Sequence, residues 1–585
     1  MRIAVSQIDT KAGDLAHTAQ RMADISVVAR ERGVDLLTFG MCTLTGPIPV
    51  DYSSQDAFLF DLVQVLTDLA KRVACDCLVP VVIPMGEAAE IEVMHLHGGM
   101  AHPLRFSSLM GRQRQTFSAS APSLSEELVR FEVAGTSVGL ALSYEDLDRW
   151  NDAEEHVDVI LYVASYSYAI DDMSSALGAA LGENRYVQDA RETGSWLVGA
   201  GSLGGYGTQV FSGGSFVLAP DGRLAAASPS YEEDLLVADV GAETVLEAGA
   251  EMQEEVYDER YGLWQALVLG IRDYVQKLGL SDVAFALDGS LASMLLSVLA
   301  TDALGPTHVH ALLCVPDGSA RVADSARLAR TLRLDLRPLP GLPEHDLALA
   351  HDMAQVQLAA LARETGALPL ACDDKTGLAL EARAGQVHAG RLAPLGDVYR
   401  IDVLDVARLR NTISAVLPAL EIGPSDVPDV GIDIPSWGCE QLLERMDSVL
   451  AAHVEGEQSL SEVIEAAGDE QLVEEVLGAL REREAHRIAF PPCLMMTTRT
   501  LRDSRMPLGF AWRDHARGEL PETIQRTFES FLRSDARQPK VAEKLRLATP
   551  EEAAAHRGEF MEALELLRDL ALGGGGEWPD PFSEN

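Results

Sequence analysis

Apolar runs and amphipathic segments alternate along the first part of the chain. Residues 2–7 form an apolar run that is typical of a strand, and residues 15–32 carry apolar side chains three or four positions apart, as on one face of a helix. Residues 34–39 predict the next strand. Further apolar runs predict buried strands at 77–84, 137–142, 157–163, 195–200 and 215–218. This alternation predicts an α/β sandwich over residues 1–250.

The same alternation resumes after an acidic stretch at residues 251–259. Residues 261–278 predict an amphipathic helix, and shorter segments of both kinds follow it. The predicted strands are 282–287, 308–314 and 367–372, and the predicted helices are 293–303, 321–333 and 350–365. Strands that alternate with helices in this way form a doubly wound parallel sheet. Mixed helices follow to about residue 490.

The last part of the chain has a different pattern. Residues 551–572 predict a helix with a polar face, and four glycines at 573–576 then form a flexible linker to an acidic, aromatic tip at 577–582. A chain of 585 residues is too long for a single core. We therefore predict three domains, at 1–250, 251–515 and 516–585.

Charge and cysteine content narrow the range of partners. The chain has 47 Lys and Arg against 90 Asp and Glu, which gives a formal net charge of −43. Such a surplus of negative charge argues against binding to nucleic acid or to an anionic membrane, because both would repel it. No apolar run is long enough to cross a bilayer, and the seven cysteines are scattered. We expect reduced thiols, no metal site and a cytoplasmic location.

One loop has the pattern of an anion site without its chemistry. The predicted strand 282–287 is followed by small residues and then by a predicted helix. Backbone N–H groups at such a helix start can point at a bound phosphate. Here a carboxylate opens the loop, whose residues are Asp288, Gly289, Ser290, Leu291, Ala292 and Ser293. A serine cap without any phosphate is the simpler interpretation, and weak anion binding is the alternative.

Several framework segments, taken in order, resemble one enzyme family. Segments 211–222 and 231–236 resemble the end of its glutaminase domain, and 266–274 resembles the start of its synthetase domain. Segments 487–494 and 499–508 resemble its last motifs. This order is similar to glutamine-dependent NAD synthetase, a nitrilase-like glutaminase fused to an ammonia-dependent synthetase. The resemblance implies a nitrilase-like αββα sandwich followed by a Rossmann-like, doubly wound parallel sheet of the adenine-nucleotide alpha-hydrolase (PP-loop) type, with a helical C-terminal extension.

The resemblance assigns three amidase positions, and each holds an unsuitable residue. The positions of the family's glutamate base, lysine and cysteine nucleophile are Met41, Arg105 (or Phe106) and Ser143. Methionine cannot accept a proton, and a serine without an adjacent base stays protonated and inert. Glu145 or Asp146 could serve as that base, which is the alternative that would rescue Ser143. We predict an inactive glutaminase.

The synthetase positions implied by the resemblance are altered too. The family's loop S-G-G-x-D-S aligns with residues 288–293, so that Asp288 replaces a serine and Ala292 replaces an acidic magnesium ligand. In its T-G-N-K-S-E motif, the second acid becomes Gly377. The aligned remnants of the nucleotide site are Lys375, His486 and Arg487. Lys375 could equally be a solvated surface lysine. Loss of magnesium ligands and cations should remove most transition-state stabilisation.

We therefore predict a pseudoenzyme that keeps the fold for assembly, regulation or binding, and we expect no cofactor. The resemblance implies a homo-oligomer formed through the nitrilase-like domain. The tip at 577–582 could dock an active relative or another protein, although a disordered end is the simpler interpretation. Two alternatives stay open: a working synthetase that makes NAD from deamido-NAD, ATP and glutamine or ammonia with Mg²⁺, and a diverged amide-handling enzyme.

Overall fold

The structure is a computed structural model that describes most of the first 503 residues. The described residues are 1–41, 43–47, 55–85, 88–105, 128–154, 156–163, 166–172, 185–252, 257–315, 320–343, 346–381, 387–418, 420–436, 438–503 and 514. The predicted helix at 551–572, the glycine linker and the acidic tip lie outside them. No helix among these residues combines the length and the apolar character that a membrane span requires.

Two six-stranded sheets form the first part of the chain. In chain order its elements are β1 (Arg2–Gln7), α1 (Leu15–Glu31), β2 (Leu36–Phe39), α2 (Asp56–Arg72), β3 (Asp76–Met85), β4 (Ala88–His97), β5 (Met100–Pro103), β6 (Val129–Val133), β7 (Thr136–Ala141), α3 (Tyr144–Asn151), β8 (Val159–Tyr162), α4 (Arg185–Thr193), β9 (Trp196–Gly199), β10 (Leu203–Tyr206), β11 (Gln209–Ser212), β12 (Phe216–Leu218), β13 (Leu224–Ala227) and β14 (Asp234–Asp239). The strand orders are β14-β1-β2-β3-β4-β5 and β13-β12-β9-β8-β7-β6. Strands β10 and β11 pair separately.

The two sheets pack face to face, and helices cover their outer faces. Val5 and Leu36 from the first sheet meet Val138 and Val198 from the second in the central core. Ala4, one position from Val5, instead joins the outer core beneath α1 and α2, as the two-residue period of a strand requires. Helices α3 and α4 cover the second sheet in the same way. The predicted αββα sandwich is confirmed.

A four-stranded parallel sheet forms the second part. In chain order the elements are α5 (Glu259–Lys277), β15 (Val283–Leu287), α6 (Leu291–Leu304), β16 (Val309–Leu313), α7 (Ala320–Leu332), β17 (Asp335–Pro338), α8 (Leu347–Thr365), β18 (Leu368–Pro369), α9 (Lys375–Leu380), α10 (Arg400–Ile413), α11 (Cys439–Val454), α12 (Leu460–Ala467), α13 (Glu470–Glu482) and α14 (Glu484–Arg487). The strand order is β17-β16-β15-β18, with every pair parallel. Helices α5 and α6 pack on one face of the sheet and α8 on the other. The predicted doubly wound sheet is confirmed.

Helix α5 joins the sandwich to the parallel sheet. It packs against β10 and β11. In its last turn, Nζ of Lys277 lies 2.6 Å from Oδ1 of Asp9 and 2.7 Å from the carbonyl oxygen of Gly205. Residues 1–457 and 469–510 form one compact unit, whereas residues 458–468 and 511–585 form a second unit. The domain boundaries near 250 and 515 stay predictions.

Most predicted elements lie within two or three residues of the observed ones. The predicted strand at 367–372 was too long, because only Leu368–Pro369 pairs with β15. The hairpin of β4 and β5 was missed. Its face toward the second sheet carries the polar residues His95 and His102 where an apolar strand pattern would be expected.

Candidate functional site

The three candidate amidase residues occupy equivalent places after their strands. Met41 lies two residues beyond β2, Arg105 two residues beyond β5, and Ser143 two residues beyond β7. Met41 packs against the apolar cluster that contains Ala141, at the end of β7. Burial raises the pKa of the Asp146 carboxyl, and the nearby guanidinium of Arg105 partly opposes this effect. The sandwich thus brings these positions to one end of its two sheets.

Ser143 acts as the N-terminal cap of α3. Its Oγ accepts a hydrogen bond from the backbone N–H of Asp146 at 3.3 Å, and its side chain is buried. The Asp146 carboxylate in turn accepts the N–H of Leu142 at 2.9 Å. Among the described residues, no carboxylate accepts a hydrogen bond from Oγ of Ser143. Glu145 is exposed. The geometry therefore does not support the alternative in which Glu145 or Asp146 acts as a base for Ser143.

Two side chains of the loop at 288–293 accept hydrogen bonds from within the loop. Oδ1 of Asp288 accepts a bond from the backbone N–H of Ser290 at 2.9 Å and one from Oγ of Ser293 at 2.7 Å. Oγ of Ser290 accepts the N–H of Ser293 at 3.2 Å. Gly289 has φ +79°, a conformation that favours glycine. The Asp288 carboxylate thus takes donors that a phosphate at this helix start would need.

A cleft of about 490 Å³ opens in front of this loop. Its described lining combines five carboxylates with two arginines. These charged residues are Asp288, Asp373, Asp374, Glu381, Asp426, Arg321 and Arg400. Two thiols also face the cleft, and burial, followed by the charge of Asp288, raises the pKa of Cys314 to about 12. The carboxylates outnumber the arginines, so the cleft repels rather than attracts an anion.

Both arginines of the cleft are already paired. The guanidinium of Arg400 binds Asp374 through two bonds of 2.8 and 3.0 Å and reaches Glu381 at 2.6 Å. Nη2 of Arg321 lies 3.0 Å from Oδ1 of Asp426. The pair of Arg400 with Asp374 is bidentate, and such pairs are strong and geometrically specific. The sequence interpretation missed Arg321 and Arg400, since nothing in the local pattern separates them from surface arginines.

The ion pair of Arg400 with Asp374 leaves little room for a side chain at Gly377. A Cβ built on Gly377 would lie 2.8 Å from Nη2 of Arg400 and 3.1 Å from Oδ1 of Asp374. The 2.8 Å approach is closer than real Cβ contacts, so an acidic side chain there would force the pair apart. The ion pair therefore fills the place in which the resemblance expects the second magnesium ligand.

Lys375 is held inside the protein, away from the cleft lining. Its ammonium is fully buried and lies 2.8 Å from Oδ1 of Asp397 and 2.7 Å from Oγ1 of Thr497, with Glu455 as a further partner. Burial disfavours its charge, but the carboxylates of Asp397 and Glu455 outweigh this and raise its pKa. The surface-lysine alternative is wrong. Lys375 serves an internal ion network.

The two remaining candidates lie on α14. His486 is exposed. Arg487 donates from Nη2 to Oε2 of Glu484 at 2.6 Å and to the carbonyl oxygen of Leu480 at 2.7 Å, and burial lowers its pKa. Arg487 lines a second, smaller cavity of about 160 Å³ together with Pro492. The structure therefore does not bring Arg487 together with the loop at 288–293 in one described cavity.

The architecture defines the class of the protein. It is an α/β protein in which an αββα sandwich precedes a doubly wound parallel sheet. No family model matches the chain.

Curated relatives match nearly the whole chain. The glutamine-dependent NAD(+) synthetase of Rhodobacter capsulatus is 28% identical over 566 residues, which cover 88% of this chain and 99% of that protein. The protein of the same name from Synechocystis is 25% identical and covers 87% of this chain and 99% of its own length. The chain is thus a homologue of glutamine-dependent NAD(+) synthetases, as its motif order predicted.

Solved structures share the fold. A glutamine-dependent NAD+ synthetase from Acinetobacter baumannii in complex with ADP has a TM-score of 0.56 at 20% identity, and covers 86% of this chain and 97% of its own. A glutamine-dependent NAD(+) synthetase from Cytophaga hutchinsonii has a TM-score of 0.64 at 12% identity, with 87% and 97% covered. The sandwich and the parallel sheet occur together in both.

Proposed function

We propose that this protein is an NAD synthetase-like pseudoenzyme, inactive both as a glutaminase and as a synthetase, that uses its fold as an assembly, regulatory or binding scaffold. Its expected form is a cytoplasmic homo-oligomer built through the nitrilase-like sandwich. One observation carries the proposal: the cleft in front of the 288–293 loop is lined by carboxylates, and its arginines are already neutralised by them.

Charge and hydrogen bonding in the cleft work against a nucleotide. A triphosphate must displace the Asp288 carboxylate from Ser290 and Ser293 before it can use those donors. It must also compete with Asp374 and Glu381 for Arg400. Each displaced bond to a charged group costs about 1.5–3 kcal/mol. Each carboxylate that loses its partner in this way would then lie beside the phosphates and repel them.

The amidase positions support the same conclusion. Met41 offers no proton acceptor, and Oγ of Ser143 is occupied as a helix cap. A base within hydrogen-bond reach of the nucleophile is what serine hydrolysis requires, and none is placed there among the described residues. The fold persists around these positions because its core residues, unlike its reactive ones, are intact.

A working NAD synthetase is the second candidate. It is favoured by the relatives, which align over 99% of their own length and are called glutamine-dependent NAD(+) synthetases. In that case Mg²⁺, ATP and deamido-NAD bind in the cleft, and the acids that line it supply metal ligands in a new arrangement. This function predicts that NAD forms from deamido-NAD, ATP and ammonia.

Calorimetric titration of the full chain separates the two candidates. ATP with Mg²⁺, and deamido-NAD, are titrated separately, and NAD formation is assayed with ammonia and with glutamine. The pseudoenzyme proposal expects no NAD and no magnesium-dependent ATP binding, together with a large particle in light scattering. Tight ATP binding that depends on Mg²⁺, or turnover that the variant Asp288→Lys abolishes, would establish the second candidate instead.

A further inference from the structure

Three polar residues converge at the edge of the sandwich, away from both candidate sites. They are Asp76 at the start of β3, and His95 and His97 near the end of β4. One ligand atom from each residue lies within 4.8 Å of those from the other two. The candidate amidase position Met41 follows the carboxyl end of β2, which is parallel to β3, whereas Asp76 begins β3, so this cluster lies at the opposite end of the same sheet.

Strand register places the three side chains on one face. Leu78 pairs with His95 and Cys77 with Leu96 in the antiparallel β3–β4 ladder. His95 and His97 are two residues apart, and so are Asp76 and Leu78, so all project to the same side. That side faces the second sheet, because the ring of His95 lies 5.6 Å from the ring of Phe131 on β6.

A third imidazole lies beside His95 on the neighbouring strand. His102 on β5 is the cross-strand partner of His95, and such partners have Cβ atoms about 4.5–5.5 Å apart. The tight turn at Gly98 and Gly99, both with positive φ, brings β5 back beside β4. The hairpin thus presents three histidines within eight residues, next to one carboxylate from the neighbouring strand.

Distances within the cluster suit a small cation. Nδ1 of His97 lies 2.8 Å from each carboxylate oxygen of Asp76, and Nε2 of His95 lies 3.4 Å from Oδ2. A tetrahedral ion with bonds of about 2.0–2.2 Å needs ligand atoms about 3.4 Å apart. Small side-chain rotations would therefore admit an ion between these atoms.

Burial leaves one nitrogen without a hydrogen bond. The side chain of His95 is only 13% exposed, and its Nε2 is buried without a hydrogen-bond partner among the described residues, since the 3.4 Å approach to Asp76 lacks hydrogen-bond geometry. A buried unsatisfied polar atom is costly, and in native proteins it often marks an unrecorded ion or water. A hydrogen-bonded Asp76–His97 pair alone would explain the 2.8 Å contacts, but it would leave Nε2 of His95 without a hydrogen bond.

We propose that Asp76, His95 and His97 form a binding site for a divalent transition metal of the zinc class, with His102 as the candidate fourth ligand. Two imidazoles and one carboxylate are a ligand set that Zn²⁺, Co²⁺ and Ni²⁺ share, whereas Mg²⁺ and Ca²⁺ prefer oxygen alone. The ion would join β3, β4 and β5 at the edge of the first sheet, and would therefore stabilise the sandwich.

The test uses the full chain after chelator treatment and dialysis. Zn²⁺ is titrated calorimetrically, and Co²⁺ is followed by visible absorption. We expect one ion per chain, a raised unfolding temperature with Zn²⁺, and a Co²⁺ spectrum without the intense near-ultraviolet band of thiolate ligation. The last point separates this site from Cys75, which precedes Asp76 in sequence.

Variants locate the ion. His97→Ala removes a side chain that is 61% exposed, so the core stays intact, and His95→Gln keeps the volume of the buried ring. Each should weaken Zn²⁺ binding by about tenfold or more. His17→Ala changes an exposed histidine elsewhere and should bind like the parent. Equal affinity in all four proteins, a thiolate band with Co²⁺, or no binding by the parent chain would overturn the proposal.

Discussion

Buried ionisable side chains gather where α9, α10 and α11 meet, and Asp447 is the most informative of them. Its carboxylate accepts bonds from Oγ1 of Thr376 at 2.6 Å and from the N–H of Ile401 at 3.0 Å. Even so, burial raises its pKa from 3.8 to about 7, and the nearby charge of Asp374 adds to the shift. The folded protein therefore holds this carboxyl protonated at pH values where an unfolded chain has released the proton.

The raised pKa of Asp447 makes the folded protein less stable as the pH rises. Because the folded pKa of Asp447 lies above the unfolded one, its stabilising contribution is complete below about pH 4 and is lost as pH rises through 7. One group of this kind changes the free energy of unfolding by up to about 1.4 kcal/mol per pH unit. Asp447→Asn should flatten this decline, and should be more stable than the parent at pH 8.

Unfolding temperatures of parent and variant between pH 5 and pH 8 check this prediction. Asp68→Asn is the control, because that side chain is 58% exposed in a surface pair with Lys71. The control should follow the parent at every pH. An Asp447→Asn curve that runs parallel to the parent would mean that Asp447 is charged in the folded protein.

At the scale of the element, the loop between β15 and α6 holds a carboxylate on donors that a phosphate at this helix start would need. The strand, the turn with Gly289 in a positive φ conformation and the Ser290 cap are all in place. Asp288 accepts two of the loop's donors, and Ser290 accepts the N–H of Ser293. We therefore predict that Asp288 limits the affinity of this strand–loop–helix for phosphate.

Replacing that side chain should restore anion binding. In Asp288→Ser the N–H of Ser290 and the hydroxyl of Ser293 lose their charged acceptor, although the hydroxyl keeps the carbonyl oxygen of Ser290 at 3.1 Å, and one negative charge leaves the cleft. We expect affinity for pyrophosphate to rise by about tenfold or more, since a hydrogen bond to a charged group contributes about 1.5–3 kcal/mol. Calorimetric titration of pyrophosphate into both proteins measures the change.

The control variant Asp373→Ser tests whether removing a negative charge elsewhere in the cleft is enough to raise the affinity for pyrophosphate. Asp373 lines the cleft but precedes a different helix, so its replacement removes equal charge and leaves the loop at 288–293 unchanged. A much smaller gain is expected from it. Equal gains in the two variants would show that cleft charge alone, and not occupation of the loop donors, excludes the anion.

At the scale of the whole molecule, one lysine connects the sandwich and the parallel sheet. Lys277 of α5 contacts Asp9 of the sandwich and lies 3.4 Å from Asp273 in its own helix, and its ammonium lies 4.2 Å from the ring centre of Tyr206. Asp273 is almost fully buried, and burial, together with the charge of Asp273, raises the pKa of Asp9 to about 6. Lys277 thus lies beside two neighbouring carboxylates, one of which, Asp273, also lies 3.3 Å from Nε of Arg272.

Lys277→Met should therefore weaken the junction. Breaking a buried pair costs about 3–5 kcal/mol, and we expect about 2–4 kcal/mol here because Lys277 is 20% exposed. The measurement is the unfolding temperature, with limited proteolysis to detect early opening near residue 250. Lys71→Met, in a surface pair with about 60% exposure, should change stability by less than about 1 kcal/mol. Equal losses in both variants would contradict the assigned role.

Hydrophobic periodicity along the chain was enough to predict the layers of this protein. Strand and helix periodicity records which side of each element is buried, so the runs at 2–7, 137–142 and 282–287 predicted strands of the two sandwich sheets and of the parallel sheet. Motif order also identified its relatives, and one of those motifs contains the turn that the N–H of Gly222 closes on the carbonyl oxygen of Ala219. That Met41, Ser143 and Ala292 stand in place of reactive residues stays a prediction from the resemblance.

Tertiary structure decided what surrounds these residues. The burial of Lys375, the pairing of Arg400 with Asp374 and the convergence of Asp76 with His95 join residues that lie 19 to 122 positions apart. A local pattern carries no information on such partners, because strand order and register set them. The electrostatics of the cleft and the histidine cluster therefore follow from the fold and not from any motif.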